Sequence, residues 1–420
     1  MKIQIDLRKV VFALSDALDL VGVDDIHHGK RVGLMARECG RKLGLGEADR
    51  DTLFDAGLLH DCGVSSTSEH RRLVTELDWR GAQDHCDRGS VLLESFEPLA
   101  RLAPLILYHH THWDTLSKMA VAAEVTLLSN LIFLVDRVDA LTAPHYNQPS
   151  LLYHKEGVRK TIARHSGVLF APQLVEAFLQ VSRNEAFWLC LESLHIHQYL
   201  GDMARHRHPM QISFEQLKQL AGVFSRIVDA KSAFTVEHST GVSTLARFLG
   251  EQRGLSVDTC EKLEIAGLLH DLGKLRVPDE ILDKPGPLDE EERAIMARHS
   301  FESYQILRRI PGMDDIARWA AYHHEGPDGK GYPFHCRGKN LPLEARIIAV
   351  ADVFQAMAQK RPYRGAMPPQ EILRHLRDLG NSGHMDTPLV ELVGQHLDAC
   401  WQKATCAKAT QPPHQAHAGS

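Results

Sequence analysis

The sequence predicts an all-α protein built from two tandem helical-bundle domains that are related by internal duplication. Three observations lead to this prediction: a length of 420 residues, apolar residues at helical spacing, and a pattern of histidine and aspartate that occurs twice. A chain of this length usually forms two domains of about 100 to 200 residues. Few stretches alternate polar and apolar residues as a half-buried strand would.

The two copies align without a gap in their early parts. A shift of 210 residues brings His28 onto His238, and it brings the string A-G-L-L-H-D that ends at Asp61 onto the same string that ends at Asp271. Further along, the shift becomes 214 and then 216, so insertions fall between the matched residues. Duplicated domains diverge in this way, because loops tolerate insertions better than helices do.

Apolar stripes in the second copy have the period of a helix. Val242, Leu245 and Leu249 recur at i, i+3 and i+7, and a further helix is expected over residues 343–357. The polar stretch 201–212 marks the junction between the copies, and a helix is expected to begin near Ser213.

We therefore assign three regions to the chain. They are a first domain at residues 1–205, a second domain at 206–404, and a disordered tail at 405–420 that is polar and contains proline.

Composition and charge exclude several classes of protein. The net charge of −6 argues against a surface for DNA or RNA polymers, because such surfaces carry a positive excess. The eight cysteines form no C-x-x-C pair, which favours reduced thiols. We find no signal peptide and no apolar run of the roughly 18 residues that a membrane helix needs. We expect a cytoplasmic protein, and a protein partner or a homodimer stays open.

Seven residues of the second copy are candidate metal ligands, and each recurs in the first copy as the same residue type. In the second copy they are His238, His270, Asp271, His299, His323, His324 and Asp352. In the first copy they are His28, His60, Asp61, His85, His109, His110 and Asp136.

Five imidazoles and two carboxylates exceed the needs of one tetrahedral ion, so we predict two divalent metals. Imidazole with a bridging carboxylate suits iron or manganese, and Asp271 is our choice for the bridge. Such a pair activates a shared water to attack phosphorus. A single histidine on an apolar helix face is more often a hydrogen-bonded core residue, but the recurrence of all seven argues against that reading.

Three stretches of the second copy carry a family resemblance. They are H-D-L-G-K at residues 270–274, H-H-E-G-P-D-G-K-G-Y-P at 323–333, and A-D-V-F-Q-A-M followed by R-P-Y-R at 361–364. Over residues 213–400 the chain resembles the HD-GYP family of bacterial cyclic dinucleotide phosphodiesterases, a branch of the HD superfamily of metal phosphohydrolases. The resemblance implies two HD-type bundles and hydrolysis of c-di-GMP or 3',3'-cGAMP to a linear dinucleotide.

The resemblance also implies roles for individual residues. Asp271 and Lys274 would be catalytic, with Lys274 holding an oxygen of the scissile phosphate. The implied substrate contacts are Lys274, Gly331, Tyr332, Pro333, Arg361 and Arg364. Simpler readings stay open: Tyr332 as a packing residue, the two arginines as solvated side chains, and Lys274 as a surface lysine.

Two positions depart from the pattern of some family members. Members that gather a third metal have a glutamate where this chain has Phe234, so we predict two metals. An acid usually found three residues after the last ligand is Gln355 here, whereas its counterpart in the first copy is Asp139.

The first copy keeps the ligand types but loses the residues around them. Val64 stands in place of Lys274, and T-H-W-D follows His110 where the second copy has its G-Y-P loop. We predict that the first domain binds metal, does not hydrolyse the dinucleotide, and supports or regulates its neighbour. A vestigial domain that only packs is the alternative.

Two other functions stay open for the whole chain. One is a non-catalytic signalling module that binds the dinucleotide or a protein. The other is an HD-type hydrolase of nucleoside triphosphates or guanosine tetraphosphate. Lys274 and the G-Y-P stretch favour the phosphodiesterase over both.

Overall fold

The computed structural model of the chain describes residues 2–21, 27–146, 151–205, 209–231, 236–359 and 365–405. Three residues singled out in the sequence, Phe234, Arg361 and Arg364, lie outside these ranges, as does the predicted tail beyond Thr405. The regular secondary structure of the described residues is helical apart from one small sheet and an isolated bridge between Ser166 and Phe170, which confirms the all-α prediction.

The helices of the first half surround its histidine–aspartate pattern. They are α1 (Leu7–Leu18), α2 (His28–Lys42), α3 (Glu47–Leu59), α4 (Thr67–Thr75), α5 (Gln83–Glu94), α6 (Glu97–Ala100), α7 (Ala103–Leu107), α8 (Trp113–Leu116), α9 (Ala123–Thr142), α10 (Leu151–Arg164), α11 (Pro172–Val181), α12 (Glu185–Leu189) and α13 (Ser193–Met203), with a 3₁₀ turn at Ala143–His145.

The second half repeats the order of the ligand-bearing helices. Its helices are α14 (Phe214–Lys231), α15 (Val236–Gln252), α16 (Val257–Leu269), α17 (Asp279–Leu282), α18 (Glu290–Leu307), α19 (Asp314–Ala321), α20 (Leu343–Ala358), α21 (Pro369–Asn381), α22 (Thr387–Gln395) and α23 (Leu397–Thr405), with 3₁₀ turns at Leu272–Arg276 and Gly338–Asn340. Helices α2, α3, α5, α7 and α9 thus correspond in order to α15, α16, α18, α19 and α20.

Local sequence explains where α18 begins. The side chain of Asp289 accepts the N–H of Glu292 at 2.9 Å, and the side chain of Glu292 accepts the N–H of Asp289 at 2.8 Å. This reciprocal pair satisfies N–H groups that the first turn leaves free. It fixes the start of α18 and therefore the position of His299 within that helix.

A two-stranded antiparallel sheet joins the start of the chain to the start of the second half. Strand β1 (Lys2–Asp6) pairs with β2 (Pro209–Ser213), and Ile3 lies opposite Ile212. Ile5 and Ile212 are each only 1% exposed. The junction 201–212 therefore contains part of a strand, which its mixed polar composition did not indicate because the strand depends on a partner about 200 residues away.

Polar contacts also connect the two halves. Thr67, at the start of α4, donates its N–H and its hydroxyl to the carboxylate of Asp279 at 2.9 and 3.2 Å. Arg309, two residues after the end of α18, pairs with Asp16 of α1. Within the described residues, no helix is both long and apolar enough to cross a membrane.

Candidate metal centre

The seven candidate ligands of the second half converge, although five helices supply them. His238, His299 and Asp352 lie in α15, α18 and α20, whereas His270 with Asp271 directly follows α16 and His323 with His324 follows the end of α19. Gly273 lets the segment after Asp271 approach α18, because a side chain there would collide with the carbonyl of His299.

One group of ligands contains His238, His270 and Asp352. The Nε2 atoms of the two histidines are 3.3 Å apart. Oδ1 of Asp352 lies 3.2 Å from Nε2 of His238 and 3.8 Å from Nε2 of His270. Three ligand atoms therefore face a common point.

The other group contains His299, His323 and His324. The Nε2 atoms of His299 and His323 are 3.2 Å apart, and the ring centroids of His299 and His324 are 5.0 Å apart. Ligand atoms of these three residues lie within 4.8 Å of one another, so this group could hold a second ion.

Asp271 lies between the two groups and faces both. Its Oδ2 is 3.2 Å from Nε2 of His270 and 3.6 Å from Nε2 of His238. Its Oδ1 is 3.6 Å from Nε2 of His299 and 3.9 Å from Nε2 of His323. Within the described residues, this buried Oδ1 has no hydrogen-bond partner. One carboxylate oxygen for each group is the geometry of a bridge.

Backbone and side-chain bonds orient the imidazoles. Nδ1 of His270, His299 and His323 each donates to the carbonyl three residues earlier, at 2.6–2.8 Å. Nδ1 of His238 lies 2.5 Å from Oε1 of Gln355. With Nδ1 occupied, Nε2 presents its lone pair to the centre, as in many metal sites.

Electrostatics keeps most of these ligands ready for a cation. Burial and the neighbouring His324 lower the pKa of His299 to about 3, and burial lowers the pKa of His324 to about 4. Burial would raise the pKa of Asp271, but His270 and Lys274 outweigh it and hold that pKa well below its usual range. Burial would lower the pKa of His270, but Asp271 outweighs it and raises that pKa.

This donor set fits two divalent cations. It offers neutral imidazoles, ionised carboxylates and a buried carboxylate oxygen without another partner. Cations bound here would polarise a phosphate and activate water.

Two residues predicted to meet substrate lie beside the centre. Nζ of Lys274 is 2.6 Å from Oδ2 of Asp271, and its side chain is 22% exposed. The ring of Tyr332 lies 4.8 Å from that of His324, in a segment whose Tyr332–Pro333 peptide bond is cis. Burial, with the charges of Asp352 and Asp271, raises the pKa of Tyr332, so its phenol stays protonated.

The first half brings its seven counterparts together in the same way. Nε2 of His28 is 3.2 Å from Nε2 of His60, and Nε2 of His85 is 3.1 Å from Nε2 of His109. Oδ2 of Asp61 is 3.4 Å from Nε2 of His60, and its Oδ1 is 3.4 Å from Nε2 of His85. His110 and Asp136 complete the set, with 3.6 Å between Nε2 and Oδ2.

The surroundings of the first centre differ from those of the second. Val64 replaces Lys274, and Arg137 pairs with Asp136 at 2.7 Å while donating to the carbonyl of Glu76 at 2.5 Å. The first centre thus carries a positive charge on one of its own ligands.

Sequence reasoning missed three residues near the centres. Arg137 follows a candidate ligand directly, where the second half has Val353, and comparing the copies there would have found it. Glu325 lies within the motif at 323–333 but received no role. Lys231 is buried and donates to the carbonyl of Leu275 at 2.5 Å, and this bond supports the turn that carries Lys274. No pattern in the sequence indicated this role.

Comparison with known proteins agrees with this arrangement. Residues 25–141 and residues 222–389 each match a family described as an HD domain. The chain is 38% identical over 416 residues to 3'3'-cGAMP-specific phosphodiesterase 1 of Vibrio cholerae, covering 97% of this chain and 95% of that protein. A cyclic di-GMP phosphodiesterase of Thermotoga maritima is 35% identical over 176 residues, 41% of this chain and 47% of that protein.

A solved structure extends the likeness to the whole fold. It is a cyclic GMP-AMP specific phosphodiesterase of Vibrio cholerae, with a TM-score of 0.63 and 26% identity, covering 98% of this chain and 99% of that chain. Two HD domains in tandem, the metal-ligand pattern in each and a full-length relative lead to one conclusion: the chain belongs to the HD-GYP family of cyclic dinucleotide phosphodiesterases and carries a second HD domain at its amino terminus.

Proposed function

We propose that this protein hydrolyses 3',3'-cGAMP to a linear dinucleotide at the centre of its second half. The position of Asp271 between two groups of histidines is the observation that carries the proposal. The relative that matches 97% of the chain is named for this substrate, which favours 3',3'-cGAMP over c-di-GMP.

In this proposal two ions of iron or manganese occupy the centre. His238, His270 and Asp352 would hold one ion and His299, His323 and His324 the other, with Asp271 facing both groups. The ions would supply polarisation of the phosphate and an activated water. Neutral imidazoles with carboxylates suit these metals.

Lys274 acts in the proposal as the cation that the protein itself provides. Its ammonium group balances Asp271 across 2.6 Å, and its partial exposure leaves it within reach of a phosphate oxygen. A fixed positive charge there stabilises the negative charge that develops on phosphorus oxygens.

Tyr332 and its neighbours Gly331 and Pro333 form one wall of the pocket in this proposal. The protonated phenol is available as a donor toward substrate. Arg361 and Arg364 stay candidates for phosphate or base contacts, since a guanidinium matches both.

For the first half we infer metal binding without turnover, together with support for the second half. Similar ligand geometry favours metal binding, whereas Val64 and the Arg137–Asp136 pair argue against catalysis. The bonds from Thr67 to Asp279 connect α4, which lies near the first centre, with the segment that follows Lys274. A domain that only packs is the alternative.

The decisive experiment is a substrate panel with the full chain, reconstituted with iron or manganese. We expect linear product from 3',3'-cGAMP, less from c-di-GMP, and none from dGTP or guanosine tetraphosphate, as measured by liquid chromatography. Hydrolysis of dGTP without hydrolysis of cyclic dinucleotides would overturn the proposal. Tight binding of the cyclic dinucleotide without any product would instead identify a signalling module.

Metal analysis tests the inference about the first half. We expect the wild-type chain to bind about twice as much metal as the Asp61→Asn variant. Equal metal contents would leave the first half as a packing domain.

A further inference from the structure

Glu325 is a buried carboxylate directly after the ligand pair His323–His324. It is 3% exposed, although it bears a charge. Its oxygens accept three backbone N–H groups: those of Phe334 at 2.6 Å and His335 at 3.1 Å on Oε1, and that of Cys336 at 3.0 Å on Oε2. Burying an ionised carboxylate is costly unless hydrogen bonds replace its water, and here backbone donors do so.

The bonds of Glu325 reach a segment that contains an uncommon backbone conformation. His335 has a φ of +52°, in the left-handed region that residues other than glycine rarely adopt. Its N–H is one of the three that Glu325 accepts. The carboxylate therefore stabilises a strained backbone immediately after the G-Y-P residues.

The segment is also fixed on its other side. The N–H of Tyr332 donates to the carbonyl of His324 at 3.3 Å. A side chain at Gly331 would collide with that carbonyl and would come within 2.5 Å of Cα of Glu325. Tyr332 therefore stands between two attachments to the same short segment, His324–Glu325, and its ring lies against His324.

The first half lacks this device. Thr111 follows His110 there, where Glu325 follows His324, and no G-Y-P loop is present. Its histidines and aspartates nevertheless converge at similar distances. A carboxylate at this position is thus unnecessary for assembling the metal ligands, so its purpose lies with the loop.

We propose that Glu325 is a positioning residue for substrate: by binding the N–H groups of residues 334–336, it fixes Tyr332 beside the metal ligands and so shapes the wall that meets the cyclic dinucleotide. This proposal rests on the proposed function. It assigns Glu325 no contact with substrate or metal.

A graded pair of variants tests the proposal. In Glu325→Gln, the amide oxygen can still accept from Phe334 and His335, but the amide nitrogen would face the N–H of Cys336. In Glu325→Ala all three bonds are lost. With 3',3'-cGAMP we expect KM to rise about threefold in the first variant, which loses one of the three bonds, and about thirtyfold in the second, which loses all three. We expect kcat within about threefold of wild type and unchanged metal content.

Glu264→Gln is the matched control. Glu264 is also buried, at 6% exposure, but it pairs with the side chains of Arg247 and Lys218 instead of with a loop backbone. We expect its KM to equal that of the wild type, even if its melting temperature falls.

Two results would overturn the role of Glu325. One is an unchanged KM in both variants, and the other is a rise in KM that follows a loss of bound metal. A wild-type chain without activity on cyclic dinucleotides would instead refute the proposed function, so the two failures are distinguishable.

Discussion

The two metal centres of this chain have the same ligands in nearly the same arrangement, yet they face different surroundings. In the second half, Asp271 pairs with the partly exposed Lys274, and Tyr332 borders the ligands. In the first half, Val64 replaces the lysine and Arg137 binds Asp136. The comparison shows that the same seven residue types converge with or without a neighbouring lysine and G-Y-P loop, so the halves differ in the charges and loops beside the candidate ligands.

Among matched variants of the two halves, we expect the largest difference in turnover when the bridging carboxylate is replaced. Asp271→Asn leaves one neutral amide where two oxygens faced two groups of ligands, so we expect turnover of 3',3'-cGAMP to fall by at least about 10³-fold. The equivalent Asp61→Asn should keep turnover within about threefold of wild type. Product formation by liquid chromatography measures both. Equal losses in the two variants would break the comparison.

Substitutions at Lys274 and at its counterpart Val64 provide a second comparison of the halves. Lys274→Met should lower kcat by about 10²-fold with bound metal retained, because it removes a charge placed for the transition state. Val64→Lys, made in the Asp271→Asn background, should restore no activity, since Arg137 still occupies Asp136. Activity from that double variant would show that the lysine alone separates the two halves.

The partner of the first histidine offers a smaller contrast. The side-chain oxygen of Gln355 accepts a hydrogen bond from Nδ1 of His238 at 2.5 Å. In the first half, Asp139 accepts from Nδ1 of His28 at 2.7 Å and also binds Arg31. Gln355→Ala should weaken metal binding by the second half about tenfold to a hundredfold, the usual cost of losing such a support. Titration with manganese measures the affinity, and the Asp61→Asn background removes the first site. An unchanged affinity would show that the helix alone orients His238.

The smallest expected effect is a difference between the two centres in the pH at which they release metal. Burial would lower the pKa of His28, but its hydrogen bonds to the carboxylates of Asp136 and Asp139 raise that pKa well above the ordinary value. Asp61 and Asp136 likewise raise the pKa of His60 against the effect of burial. Metal binds neutral imidazole, so protons compete with metal as the pH falls toward these raised values.

In the second half, the pKa of His270 is raised in the same manner. The other three histidines have lowered pKa values in both halves, near 3 for His299 and His109 and near 4 for His324, so the difference between the halves lies at His28. As the pH falls, we expect the first centre to release metal before the second. Metal content against pH in Asp271→Asn and in Asp61→Asn reports each centre alone. Release in the reverse order would contradict the assigned protonation of His28.

Most of the fold and the convergence of the ligands were predictable from the sequence, for a physical reason. Apolar residues at helical spacing identify helices, and the duplication supplies a second reading of every ligand position. His238 and Asp352 are distant in the chain, but their recurrence as His28 and Asp136 indicated that they act together. The structure brings them to 3.2 Å.

Other features depend on contacts that periodicity does not encode. The strand at Pro209–Ser213 exists because residues 2–6 pair with it. The role of Glu325 depends on backbone N–H groups whose direction a sequence does not give. Arg137 could have been noticed in the sequence, because the two copies carry different residues at that position. Its ion pair with the adjacent Asp136 is seen only in the structure.

The short sheet has a practical consequence for dividing this chain. A cut at the predicted boundary between residues 205 and 206 separates β1 from β2, so an isolated second half would present the free edge of Pro209–Ser213 to other molecules, and an isolated first half would present Lys2–Asp6. Unpaired edges invite intermolecular strand pairing. Fragments prepared to assign an activity to one half are therefore prone to self-association, and single substitutions in the intact chain avoid that artefact.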